Sequence, residues 1–113
     1  MDSSHDLNLV VLRGVLARDA QERTVLSGDR IVSYEITTRI DGVSVTVPVV
    51  LVDGPPLAAG VEVVVSGQVR RRFFRSGGTT QSRTEVSASS LTRASARKGV
   101  ERVMESARSA LGA

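Results

Sequence analysis

The sequence predicts an all-β fold, a five-stranded barrel, with one α-helix after it at the C-terminal end. Three observations predict this class. Between residues 7 and 92, apolar and polar residues alternate in successive segments, which is the period of strands with one buried face. Turns that contain glycine separate these segments. After Thr92 the apolar residues recur at the spacing of a helix instead.

The composition fits one small globular domain. The chain has 113 residues, of which 41% are apolar and 24% are charged, and its formal net charge is +3. It has no cysteine, which excludes disulfides and thiolate metal sites. No apolar run reaches the ~20 residues of a membrane span, and the start of the chain is polar and unlike a signal peptide. We therefore expect a cytoplasmic protein that does not contact a membrane.

The first predicted strand, Leu7–Leu16, is apolar on both faces. Leu9 and Val11 lie on one face, and Val10 and Leu12 lie on the other. A strand of this kind is usually covered on both sides. We expect its second cover to be either the C-terminal segment of the same chain or another subunit.

The connection Arg18–Asp29 is rich in turn residues and ends in Ser27-Gly28-Asp29, a good hairpin signal. A second hairpin is predicted after it. Its first strand, Arg30–Ile40, alternates, and four of its side chains are expected to face the core: Val32, Tyr34, Ile36 and Ile40. Asp41-Gly42 is a strong two-residue turn signal. The β-branched segment Val43–Val52 then forms the third strand, in which Pro48 indicates an edge or a bulge.

The fourth and fifth strands are predicted over Val61–Arg75 and Gln81–Leu91, with a bend at Gly67 that lets a small barrel close. Five antiparallel strands of this length fit an OB-fold. A helix is predicted from about Ser95 to Leu111 because one apolar stripe recurs at helical spacing: Val100, Val103, Met104, Ala107 and Leu111. The predicted organisation is a flexible tail over residues 1–6, the OB-fold domain over residues 7–92 and a C-terminal amphipathic helix over residues 93–113.

The fourth strand carries the most informative pattern in the chain. Residues 67–84 contain five arginines and no acidic residue. Alternation places Arg70, Arg72 and Phe74 on one face of the strand, and it places Arg71, Phe73 and Arg75 on the other. Arginine screens phosphate, and an aromatic ring offers a flat surface to an unpaired base. This strand is therefore typical of a surface that binds single-stranded nucleic acid.

Several motifs in order resemble the bacterial single-stranded DNA-binding protein family, which has an OB-fold. Residues 8–14 are similar to the opening strand of that family, and residues 18–28 resemble its "R-D-P-E-x-R-x-T-x-S-G" segment. Residues 60–72 resemble its "G-x-x-V-x-V-x-G-x-L-R-x-R", and Thr84-Glu85-Val86 matches the "T-E-V" of its last strand. The short loops suggest a compact, divergent member, similar in its small size to primosomal replication protein N.

The resemblance implies a nucleic-acid site and also several losses from it. Phe74 falls where the family keeps a stacking tryptophan, and Arg70 and Arg72 fall on its DNA-facing basic positions. However, Val47 and Asp53 stand where two further stacking aromatic residues would lie. Of the two phenylalanines, we expect one in the core and Phe74 outside; the alternative is that both are buried in an oligomer interface. The residues predicted to bind nucleic acid are Arg70, Arg72, Phe74, Arg75, Arg83 and Arg39.

These features predict weak, sequence-nonspecific binding of single-stranded DNA, in replication, repair or recombination. RNA is a physically close alternative ligand, since bases of both polymers stack alike. A second hypothesis is an OB-fold assembly module that has lost most nucleic-acid binding. In either case the resemblance implies a homodimer or homotetramer, replication or repair proteins as partners, and a nucleoid-associated location.

Enzymatic functions are not expected. His5 is the only histidine, and the carboxylates are dispersed without the spacing of metal ligands. The glycine-containing loop over residues 76–80 lacks the lysine and the following helix of a phosphate-binding loop. We therefore expect no catalytic residues, no metal and no cofactor. The C-terminal helix is expected to pack on its own barrel, where it would cover the first strand, or to bind a partner.

Overall fold

A computed structural model describes residues 6–112 of the chain. Most of the predicted flexible tail, including His5, lies outside this range. The described residues form six strands and one helix: β1 Val10–Leu16, β2 Gln21–Thr24, β3 Arg30–Ile40, β4 Val43–Val52, β5 Glu62–Ser76, β6 Thr79–Arg93 and α1 Arg97–Gly112. The helix α1 is too short and too polar to cross a membrane, and no other helix is present in residues 6–112.

Five of the strands close into a barrel. The sheet order is β1-β5-β6-β4-β3-β2, and an additional pairing of β1 with β3 joins the two ends of the barrel wall. This arrangement confirms the predicted five-stranded OB-fold barrel with a C-terminal helix. The expectation that all strands are antiparallel was wrong in one place. Strands β4 and β6 pair in parallel, at Val49 with Val86 and at Val50 with Ser87. They run in the same direction because β3 and β5 are both antiparallel to β1, and each hairpin reverses the direction once more.

The sequence predicted a hairpin signal at Ser27-Gly28-Asp29, and the first strand of this hairpin is the short β2, whose bounds were not predicted. It lies inside the turn-rich connection, and all of its residues are exposed, so it shows no alternation that a sequence pattern could reveal. It pairs with the start of β3 around a turn in which Gly28 has a φ of 91°. It extends the sheet beyond the barrel wall and leaves the five-stranded closure unchanged.

The core lies inside the barrel and is built almost entirely of aliphatic side chains around one tyrosine. Its buried members come from five strands and one loop: Leu16, Val32, Tyr34, Ile36, Val49, Leu57, Val63, Val65, Val86 and Leu91. Three of the four predicted inward residues of β3 are therefore buried. The fourth prediction was wrong, because Ile40 is 69% exposed. It has the inward register but lies where β3 has already passed the end of the barrel.

Two hairpins extend past the same end of the barrel. Because β4 and β6 run parallel, the β3–β4 turn at Asp41-Gly42 and the β5–β6 turn at Gly77-Gly78 point in the same direction. Asp41 and Gly42 both have positive φ, and Ile40 pairs with Val43 across them, as predicted for a two-residue turn. We call residues 70–76 of β5, the turn, and residues 79–85 of β6 the arm.

The helix α1 packs on its own barrel, but it does not cover β1. It contacts β5 and β6, with Gly99, Val103 and Ala107 buried in the contact. Glycine has a low helix propensity, so Gly99 in the first turn of α1 is unfavourable locally. The structure gives its reason, since a Cβ atom there would lie 2.1 Å from the Thr92 hydroxyl. The apolar outer face of β1 remains open, with Val11 43% and Val15 42% exposed.

Candidate nucleic-acid interface

The arm begins at a bulge beside Gly67. Ser66 pairs with Ser90, whereas Gly67 pairs with Ala88, so that Ser89 is an extra residue in β6. A bulge of this kind bends the strand and increases its twist. Beyond the bulge β5 contributes no buried core residue and β6 contributes one, Val86, and past the Val69–Val86 pair the two strands continue as a two-stranded ribbon. The sequence predicted a bend at Gly67 of the fourth strand; the structure has a pairing irregularity at this position, and its extra residue belongs to the neighbouring strand β6.

The pairing register assigns every arm residue to one of two faces. Val69 pairs with the core residue Val86, so residues two, four and six positions after Val69 continue the side that lines the barrel interior. We call this the inner face; it consists of Arg71, Phe73, Arg75, Thr80, Ser82 and Thr84. The opposite side is the outer face, which consists of Arg70, Arg72, Phe74, Gln81, Arg83 and Glu85. The predicted site residues are thus divided between the two faces, since Arg75 lies on the inner one.

A buried carboxylate organises the outer face. The side chain of Glu85 is 1% exposed, and it accepts hydrogen bonds from Arg70 Nη2 at 2.8 Å and from Arg72 Nε at 3.2 Å. Burial on its own raises the pKa of the Glu85 carboxyl, but the bonds from Arg70 and Arg72 outweigh burial and leave this pKa lower than usual. The carboxylate therefore stays ionised and holds both guanidinium groups in fixed positions.

We expect Glu85→Gln to lower the free energy of unfolding at pH 7 by about 2 kcal/mol, because two charge-assisted hydrogen bonds are lost or weakened. The pKa of Glu85 is lower in the folded state than in the unfolded chain. Its stabilising contribution is therefore complete above the unfolded value of about 4.3 and disappears as the pH falls through the folded value. Urea denaturation between pH 7 and pH 3 measures both effects.

The matched control for this prediction is Glu62→Gln, which breaks an exposed pair with Arg13. Exposed pairs contribute about 0.2–1 kcal/mol, so the control should lose less stability. Equal acid sensitivity of the wild type and Glu85→Gln would contradict a role for this carboxylate in the pH dependence.

A second ion pair removes more of the positive charge from the outer face. Arg83 Nη2 contacts Glu35 Oε2 at 3.0 Å, and Glu35 reaches it from β3. Three arginines on this face thus share two carboxylates, Glu85 and Glu35, which leaves a net charge of about one. The sequence places no acidic residue between 67 and 84, but the fold brings these two carboxylates to the same surface.

The ring of Phe74 is half-buried and is occupied on one side by an arginine. The guanidinium carbon of Arg72 lies 5.2 Å from the ring centroid, within the range of a cation–π contact. Phe74 is outside the core, in agreement with the expectation for this residue. Its neighbour Arg72 nevertheless covers part of the surface that a base would need.

The side chains of the inner face are less covered than those of the outer face, and their charges are not paired with carboxylates of the described residues. Phe73 is 67% exposed, so the expectation that one phenylalanine lies in the core was wrong. The physical reason is that the barrel has already ended where Phe73 points inward. Arg71 donates to Ser82 Oγ at 2.9 Å, and Arg75 donates to the carbonyl oxygen of Gly78 at 2.8 Å. Neither forms a salt bridge to a carboxylate in residues 6–112, so this face keeps two uncompensated positive charges.

Arg39, the last predicted site residue, lies on the other hairpin. It is exposed and pairs with Ser44 near the β3–β4 turn. Arg39 is therefore not on a strand that pairs with the arm. It stands instead on the second projection from the same end of the barrel.

A cavity of about 140 Å³ lies beside the outer face, but it is too small for a nucleotide. It is lined by the ion pairs already described and by polar groups of the connection after β1, among them Arg18 and Asp19. Pockets that enclose an organic ligand usually measure about 300–1,000 Å³. In residues 6–112, no three carboxylate or imidazole groups are placed to hold a metal ion. The arrangement therefore favours binding on an open surface.

The candidate residues selected from the sequence leave out Arg71 and Phe73, which the structure exposes on the inner face of the arm. Their signal was present, since Val69 is the last aliphatic residue of β5 and seven residues follow it in the same strand. A strand that continues for several residues beyond its last core residue projects from the fold and exposes both of its faces. Compared with protein-family models and with the sequences of curated proteins, the chain matches none.

Proposed function

We propose that this protein binds single-stranded DNA weakly and without sequence preference, through the arm of its OB-fold barrel. One observation carries the proposal. The arm projects from the barrel with five arginines and both phenylalanines of the chain, and Glu85 at its base is its only acidic residue. Arginines beside exposed rings suit a flexible polyanion with unpaired bases. The rings accept any base, since every base has a flat face, so we expect no sequence preference.

Weak binding follows from the small number of rings. Stacking on an aromatic side chain contributes roughly 1–3 kcal/mol per base, and only two rings are available. The arginines of the arm and their two carboxylate partners together leave about three positive charges. With a slope of about −0.7 per contact, the logarithm of affinity should fall against the logarithm of salt with a slope near −2.

Fluorescence anisotropy with a labelled oligothymidine between 20 and 200 mM salt tests this proposal. We expect binding that weakens with the stated slope, and weaker binding of a duplex of equal length. The double variant Arg71→Gln, Arg72→Gln should bind on the order of tenfold more weakly, because it removes one cation from each face of the arm.

The matched control is Arg102→Gln, Arg108→Gln, which removes the same charge from exposed positions of α1. This control should retain the wild-type affinity. Duplex binding as strong as single-strand binding, or an arm variant indistinguishable from the helix variant, would refute the proposed function.

A second candidate function, protein assembly, is favoured by apolar side chains that the single chain leaves exposed. They lie on the outer face of β1 and on the β3–β4 hairpin: Val11, Val15, Ile40, Val43 and Val45. Exposed apolar surface of this kind marks interaction sites when it is contiguous. Multi-angle light scattering measures the oligomeric state, where the hypothesis expects a homodimer or homotetramer. A stable oligomer without any oligonucleotide binding would select this candidate.

The proposed setting is the cytoplasm, with the DNA of the nucleoid as ligand and replication or repair as the process. A binding module with this arm carries out no reaction, and we propose no cofactor and no metal for it. Replacing oligothymidine with oligouridine in the same titration compares DNA with RNA directly, since only contacts to the 2′-hydroxyl distinguish the two.

A further inference from the structure

The two rings of the arm differ in how much surface they offer to a base. Phe73 is 67% exposed. Phe74 is half-buried, and Arg72 lies above its ring at 5.2 Å. Arg72 is in turn held by Glu85, whose side chain is buried. A base could stack on Phe74 only beside or in place of this guanidinium, whereas Phe73 has no such cover within the described part of the chain.

The two faces also differ in the charge that phosphate would meet. On the outer face the carboxylate of Glu85 lies directly behind Arg70 and Arg72, and Glu35 lies behind Arg83. A phosphate that approaches these arginines meets the repulsion of those carboxylates as well. On the inner face, Arg71 and Arg75 flank Phe73 and have only neutral acceptors, a serine hydroxyl and a backbone carbonyl.

The inner face continues onto apolar surface. Val69 precedes Arg71 on the same face and is 47% exposed. The β3–β4 hairpin, which projects from the same end of the barrel, exposes Ile40, Val43 and Val45 on the side that continues the barrel interior. Nucleobases and sugars have apolar faces that suit such surface, and the two arginines supply the opposite charge for the phosphates.

From these differences, we infer that the base-stacking ring of this protein is Phe73, on the inner face of the arm, with Arg71 and Arg75 as its phosphate contacts. The inference rests on the proposed function and deepens it, because it assigns the face on which the single strand lies. It replaces Phe74, the ring that the family resemblance selects, with its neighbour. Phe74 and Arg72 then serve mainly to stiffen the outer face.

The test compares two single variants, Phe73→Ala and Phe74→Ala, with two ligands, an oligothymidine and an abasic oligomer of the same length. The abasic oligomer keeps the phosphates and lacks the bases. We expect Phe73→Ala to bind oligothymidine about tenfold more weakly and to bind the abasic oligomer as the wild type does. Phe74→Ala should retain oligothymidine affinity within about threefold of the wild type.

A second measurement avoids substitutions altogether. The chain has two phenylalanines and no tryptophan, so the aromatic NMR signals of the two rings can be resolved and assigned. On titration with oligothymidine, the signals of Phe73 should shift through the ring current of a stacked base, and those of Phe74 should change little.

The possible outcomes distinguish a failure of this inference from a failure of the proposed function on which it rests. A wild-type protein that binds no oligonucleotide refutes the proposed function itself. Binding that is lost in Phe74→Ala and kept in Phe73→Ala leaves the function standing and overturns the assignment to the inner face. An equal loss for oligothymidine and the abasic oligomer in Phe73→Ala overturns stacking as the role of this ring.

Discussion

Tyr34→Ala should lower the free energy of unfolding by about 4 kcal/mol, the largest effect that we expect from a single substitution in this protein. Tyr34 is 1% exposed and is the only aromatic residue of the core. Its removal leaves a cavity that the β-branched neighbours on adjacent strands fill poorly, since they are held by the closed sheet. The midpoint of urea denaturation measures the loss.

The hydroxyl group of Tyr34 adds a smaller, separable contribution. It donates to the carbonyl oxygen of Pro55 at 2.8 Å and so ties the loop between β4 and β5 to the barrel. Burial raises the pKa of Tyr34, which keeps the phenol protonated as a donor. Tyr34→Phe should therefore cost about 1 kcal/mol, and a loss as large as that of the alanine variant would contradict the assignment to ring packing.

Gly67→Ala should destabilise the fold by about 3 kcal/mol, at the upper end of the usual effects of overpacking. A Cβ atom at this position would lie 2.3 Å from the carbonyl oxygen of Ser87 and 2.8 Å from the Cα atom of Ala88. Both are backbone atoms of the neighbouring strand, so the strands can accommodate a methyl group only by moving apart. The bulge that starts the arm would be distorted as a result.

Gly112→Ala is the matched control, because nothing lies within 4 Å of a Cβ atom at that position. Thermal and urea denaturation of both variants measure the difference.

We also expect Gly67→Ala to weaken oligothymidine binding, since it changes the direction of the arm relative to the barrel. If Gly67→Ala has the stability of the wild type, the strands accommodate a methyl group at this position. The close contact at Gly67 would then not be required for the bulge.

Much of the barrel could be predicted from the sequence because its signals are local. The alternation of β3 gave its exact bounds and three of its core residues, and Asp41-Gly42 gave the turn that follows. The helix was placed to within two residues of its observed ends. By contrast, the exposed strand β2 has no alternation, so only the hairpin signal of Ser27-Gly28-Asp29 indicated a strand before β3.

The candidate site was predicted only in part. The sequence showed that each face of β5 carries arginines beside a phenylalanine, and the structure retains that division. It could not show that Glu85 and Glu35 lie behind the arginines of one face, because Glu35 comes from a strand far away in the chain. The electrostatic difference between the faces therefore arises only when the barrel closes.

Taken alone, the sequence determined on which side of each strand a side chain lies, since alternation is a property of the extended backbone itself. Only the tertiary structure decided whether anything covers that side. Ile40 and Phe73 both have the inward register, yet both are largely exposed, because burial depends on where the opposite wall of the barrel ends. For the same reason, the ring that we infer to stack on bases became apparent only from the three-dimensional fold.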